Sequence, residues 1–108
     1  MKTNKLFAKA IALADLLSYQ DDAVVSQEVL KKSTGTITLF AFDKGQGLSE
    51  HTAPFDATVY IVDGKARITI AGKPLMVKKG DLVIMPANKP HSLKAVGKFK
   101  MMLIMIRA

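Results

Sequence analysis

Turn signals recur every six to twelve residues along this chain, and that interval bounds what it can fold into. Gly35, Gly45-Gln46-Gly47, Pro54, Asp63-Gly64, Gly72, Gly80, the Pro86–Pro90 stretch and Gly97 punctuate it. The runs between them are too short for self-standing helices and are rich in β-branched residues. Residues 36–43, TITLFAFD, alternate, with Ile37, Leu39 and Ala41 on one side and Thr36, Thr38, Phe40 and Phe42 on the other. ARITIA, 66–71, alternates as cleanly. ATVYIV (57–62) and LVIM (82–85) are apolar on both sides, as in strands buried between two layers. Asp63-Gly64 reads as a tight hairpin, because both central residues of a type I′ turn need positive φ. Many short strands in series build an all-β sandwich or barrel.

The N-terminus departs from this pattern. In LFAKAIALADLLSY, Leu6, Ala10, Leu13 and Leu17 recur at helical spacing, which predicts a helix or helical turn within 8–18. Gln20-Asp21-Asp22 ends it. Residues 1–22 therefore read as a helical segment and arm, and 23–108 as one barrel domain. The first strand, 23–31, is polar enough for an edge strand or one exchanged between subunits. The last, MMLIMI, is apolar on both faces. One face fills the barrel; the other needs cover from the N-terminal segment or a second subunit, and a homodimer is expected.

An apolar share of 49% excludes a disordered chain, and 108 residues support one core. The net charge of +7 comes from lysines spread along the chain, without interleaved aromatics and with arginine only at Arg67 and Arg107. That is a solvated basic surface and not a nucleic-acid face. No apolar run approaches the roughly 18 residues of a membrane span. Lys9 and Asp15 interrupt the apolar N-terminus where a signal peptide would be continuous. There is no cysteine, so a cytoplasmic location is expected.

The chain has two histidines, His51 and His91. Their surroundings resemble the two motifs of the cupin family, small β-barrels of the jelly-roll type. Gly45, His51 and Gly64 stand at the spacings of the first motif, with Ala53 where a second histidine is usual and Ala57 where a glutamate is usual. Gly80, Pro86 and His91 match the second, with Asn88 in place of a glycine and Ala95 in place of an asparagine. The resemblance covers the chain from Gly45 to its C-terminus.

It implies a double-stranded β-helix, here with a short N-terminal helix, in which His51 and His91 converge on one pocket. Metal-binding cupins use a His-x-His pair because alternate strand residues share a face. Here that face offers one imidazole and one methyl. As metal ligands His51 and His91 would supply two nitrogens to a weakly bound zinc, nickel, manganese or iron ion. Asp56, just past Pro54, is the nearest oxygen candidate and Gln46 a distant one; Glu50 points to the opposite face unless a bulge re-aims it. The leading expectation is a protein that binds a small molecule in an apolar barrel mouth, with His51 and His91 as polar anchors. The alternative is a divalent-metal-dependent enzyme of dioxygenase, isomerase or decarboxylase type with a reduced ligand set. A third is a partner-binding dimer without a ligand. No Gly-x-Ser-x-Gly elbow surrounds Ser49 or Ser92, the serines that flank the histidines, so a serine nucleophile is not expected. Met76, Met85, Met101, Met102 and Met105 read as core fillers.

Overall fold

The computed structural model describes residues 4–107. Eight strands follow in chain order: β1 Val24–Lys32, β2 Gly35–Phe42, β3 Gly47–His51, β4 Ala57–Ile70, β5 Lys73–Lys78, β6 Leu82–Met85, β7 His91–Lys94 and β8 Phe99–Ile106. They form a curled antiparallel sheet in the order β1-β2-β8-β4-β7-β3, with β5 and β6 also paired to β4. The first half of β4 pairs with β6 and β8, the second half with β5 and β7. One strand thus belongs to both walls of the barrel.

That continuity corrects the reading of Asp63-Gly64 as a hairpin. The chain runs straight through as one 14-residue strand. Against β8 the register shifts between Ile61 and Asp63, which is a bulge. Gly64 has φ 75°, so the Asp-Gly pair does signal positive φ, but it bends a strand where a turn was expected. A Cβ at Gly64 would overlap the Lys98 carbonyl oxygen, so the close approach of two backbones also requires glycine there. The two-residue hairpin lies farther on. Ile70 pairs with Lys73, and Ala71 and Gly72 between them have φ 49° and 81°.

Alternation along the strands places the core. Val59 and Ile61 of β4, Met101 of β8 and Phe42 of β2 point inward and are fully buried, joined by Ile68, Leu93 and Phe99. Phe42 and Phe99 are cross-strand partners whose rings stack with centroids 4.4 Å apart. β6 is not the buried strand its composition suggests. It pairs with β4 alone, and Leu82 and Ile84 are each 58% exposed while Met85 faces inward. An edge strand has a neighbour on one side only, so its outward residues stay open.

The predicted helix shrinks to a single 3-10 turn, Leu13–Asp15, none of whose residues is buried. A helix this short has little intrinsic stability in water, and without an apolar face to bury it does not form. The arm is instead pinned by polar contacts. The Asn4 side-chain amide donates to the Val29 carbonyl at 2.8 Å, the Lys100 ammonium to the Ala14 carbonyl at 2.5 Å, and the Tyr19 hydroxyl to Asp63 at 2.7 Å. Lys100 also sits 4.8 Å from the centre of the Tyr19 ring.

Candidate functional site

His51 ends β3 and His91 begins β7, and the two are direct cross-strand partners. His91 also pairs with Ile70 of β4. Leu48 pairs with Leu93, so between Leu48 and His51 one strand advances three residues while the other advances two. This bulge decides which side chain faces the barrel. Without it Glu50 would stand opposite His91; with it His51 does. The bulge is invisible in the sequence, where Leu48 and His51 have opposite parity.

The imidazoles meet edge to edge, with ring centroids 4.4 Å apart and planes at 69°. The Nε2 atoms are 3.1 Å apart. His51 Nδ1 lies 2.8 Å from the Ser49 carbonyl oxygen and His91 Nδ1 3.2 Å from that of Lys89. A carbonyl oxygen only accepts, so each Nδ1 carries hydrogen and donates. With both rings neutral the lone pairs lie on Nε2 and face one another at hydrogen-bond distance, so a proton or an electron-poor ligand placed between them relieves their repulsion. Burial holds His91 below its ordinary titration range; the Lys89 carbonyl opposes this and the facing His51 adds to it.

A cavity of ≈ 50 Å³ opens beside the pair, lined by both histidines, Ala53, Ala57 and the side chains of Met85, Met101 and Met105, among others. Ala53 and Ala57, where the family motif carries ligands, therefore reach the cavity but bring only methyls. Asp56 does not join. Its carboxylate accepts the Ala87 backbone N–H at 2.8 Å, tying the loop after β3 to the loop before β7. Glu50 and Gln46 are also absent from the lining. Asn88 has φ 63°, so its place in the motif is a left-handed position that glycine or asparagine can hold. Among the described residues no group of three or more His, Cys, Asp or Glu is placed to hold a metal. The methionine lining was not legible beforehand: Met85, Met101 and Met105 turn to the cavity, while Met76 is exposed, contrary to its reading as core. A larger groove of ≈ 310 Å³ lies at the far end of β2 and β8, lined by Leu30, Ile37, Ile104 and Ile106 with Lys32 at its side. Its polar side chains are those of Lys32, Thr34 and Thr36.

A curled antiparallel barrel with two histidines facing each other across adjacent strands defines the class. The family model for the cupin domain matches residues 38–107, and the chain belongs to that family. Among solved structures it is similar to a conserved protein of unknown function from Streptococcus pyogenes, at 35% identity and TM-score 0.92, covering 98% of this chain and 93% of that one. A cupin superfamily protein from Desulfitobacterium hafniense is 27% identical with TM-score 0.91, covering 98% and 97%. A cupin 2 conserved barrel domain protein from Leptotrichia buccalis is 38% identical with TM-score 0.84; the match covers 87% of this chain but only 46% of that longer one. A salicylate 1,2-dioxygenase from Pseudaminobacter salicylatoxidans, at 15% identity, shares the fold alone. No curated protein matches.

Proposed function

We propose that this cupin is a binding module for a small electron-poor ligand, of a few heavy atoms at most, held by His51 and His91 at the mouth of the barrel. The observation that carries this is the meeting of the two Nε2 atoms at 3.1 Å, each ring being held by a backbone carbonyl at Nδ1. Two lone pairs that face each other attract an electron-poor partner: a hydrogen-bond donor or a cation. The cavity limits the partner's size. At ≈ 50 Å³ it holds a handful of atoms, far below the roughly 300 Å³ at which pockets for drug-sized ligands begin. Titration with ammonium or formamide at about pH 8, above the free-imidazole range, followed by the ring 15N resonances of both histidines, tests this. Saturable shifts in the wild type that vanish in His51→Ala are expected; unmoved rings across small donors and metal ions would end the proposal.

A divalent-metal enzyme is the second reading, and the residues do not fit it. The usual four-ligand set is reduced to two nitrogens, since Ala53 and Ala57 bring methyls and the Asp56 carboxylate is committed to Ala87. No carboxylate lines the cavity to offset a double charge.

In the same proposal a second copy of the chain covers the outer sheet face. Ile84, Thr58, Ile104 and Ile37 form one row across β6, β4, β8 and β2, and Leu82, Tyr60, Met102 and Leu39 the next. Leu82, Ile84 and Ile106 are more than half exposed. Two such faces stacked would bury the exposed ends of these rows, Leu39 being already covered within one chain.

A further inference from the structure

We infer that the His51–His91 cavity is a soft-metal site that takes a monovalent cuprous ion, with thioether sulfurs from the methionine lining completing its ligand set. The inference rests on the proposed reading that the histidine pair holds the ligand, and it names that ligand. It begins from a mismatch. The cavity lacks the carboxylate and further nitrogens that a hard or borderline divalent ion needs, yet it is not without donors. Beside the two imidazoles it is lined by Met85, Met101 and Met105, three of the chain's six methionines. Met85 and Met105 are both cross-strand partners of Ala57, on β6 and β8 respectively, so they flank the position where a cupin glutamate would project. The positions beside the missing carboxylate are thus held by methionines.

Thioether and imidazole are donors that suit Cu(I), whereas carboxylate, carbonyl and water suit harder ions. Charge points the same way. The cost of bringing an ion from water into an apolar site scales with the square of its charge, so a monovalent ion meets about a quarter of the penalty of a divalent one. With no anionic side chain in the lining, that difference decides between them. Cuprous ion also accepts two to four ligands without fixed geometry, which a pair of nitrogens and a choice of sulfurs can meet. The nitrogens are ready: each Nδ1 donates to a carbonyl, so each Nε2 offers its lone pair without losing a proton. The chain has no cysteine, so no thiolate competes for the ion.

Methyl-13C methionine labelling tests this on the full chain, with Ag(I) as a redox-inert probe and Cu(I) supplied anaerobically from its bicinchoninate complex. One equivalent of Ag(I) should shift methyl signals of the cavity methionines and leave those of Met76 and Met102 in place. Cu(I) affinity should fall at least tenfold in the double variant Met85→Leu with Met105→Leu, whose similar side-chain volumes preserve the core. It should also fall at least tenfold in His51→Gln, an exposed position that leaves the fold intact whatever the leucine variants do. Zn(II) should bind at least a hundredfold more weakly than Cu(I). Zinc binding as tight as Cu(I), unmoved methionine methyls, or undiminished affinity in folded leucine variants would overturn the inference. Histidine-dependent binding of ammonium or formamide at about pH 8 without any Cu(I) binding would overturn it too, while leaving the proposed function standing; a histidine pair that responds to neither would remove both.

Discussion

Burial holds the His91 imidazole below its ordinary range, and the sign of that shift sets a pH dependence. The unfolded chain binds the proton more readily, near pH 6.5 for a free ring. Stability from this group is therefore full above about pH 6.5 and is lost as pH falls through the lower native value. The denaturation midpoint should drop between pH 7.5 and 5, and His91→Leu should flatten that slope; an unchanged slope would mean that another group carries it. Asp43 acts in a separate window. Its carboxylate accepts the backbone N–H groups of Asp22 and Lys44, which lower its pKa, so its contribution persists above the usual carboxylate range and is lost only in stronger acid. The alanines at the site allow a second test. Ala53→His with Ala57→Glu adds the two missing ligands to a cavity both residues already line. Calorimetric titration should show nickel or zinc affinity rising at least tenfold, about 1.4 kcal/mol. Ala57 is buried, so the same variant should lose roughly 1–3 kcal/mol of stability to overpacking.

Among the elements, β4 carries the most consequence, because both walls of the barrel depend on its passage through Gly64. Gly64→Val places a β-branched side chain at φ 75° and against the Lys98 carbonyl oxygen. The strain alone is worth roughly 1–3 kcal/mol, and the overlap adds to it. Urea denaturation should show a lower midpoint; an unchanged one would mean that the strand does not bend at this residue. The sequence marks this bend as a hairpin for a physical reason. Positive φ at an Asp-Gly pair is common to a tight turn and to a bulge, and only the partners distinguish them. Ile61 pairs with Met101 and Ile68 with Leu93, both far along the chain. The N-terminal helix fails for a related reason: leucine spacing records a possible face, but no residue of the turn that forms is buried.

For the molecule as a whole, the proposed dimer rests on the exposed ends of the outer rows, Leu82 and Ile84. Light scattering at micromolar concentration should give twice the 11.7 kDa chain mass, and Leu82→Lys with Ile84→Glu should return it to one. A single-chain mass for the wild type would leave that face to another partner. The proposed dimer places no residue of one copy in the histidine cavity of the other, so binding there should survive dissociation.

What the sequence determined by itself is the class of architecture and the two residues at its mouth. Strand alternation and turn spacing are local properties, and they led to an all-β barrel; the glycine, proline and histidine intervals led to the cupin motifs at His51 and His91. What only the tertiary structure decided depends on pairing between distant strands. The bulge after Leu48 turns His51, and not Glu50, toward His91. The contact to Ala87 commits Asp56, a candidate ligand, to a loop. The curl of the sheet turns Met85, Met101 and Met105 onto the cavity while Met76 stays exposed. A methionine reads the same in any strand, because its thioether is both a flexible apolar filler and a soft donor. Which it becomes is settled by what stands opposite it across the barrel.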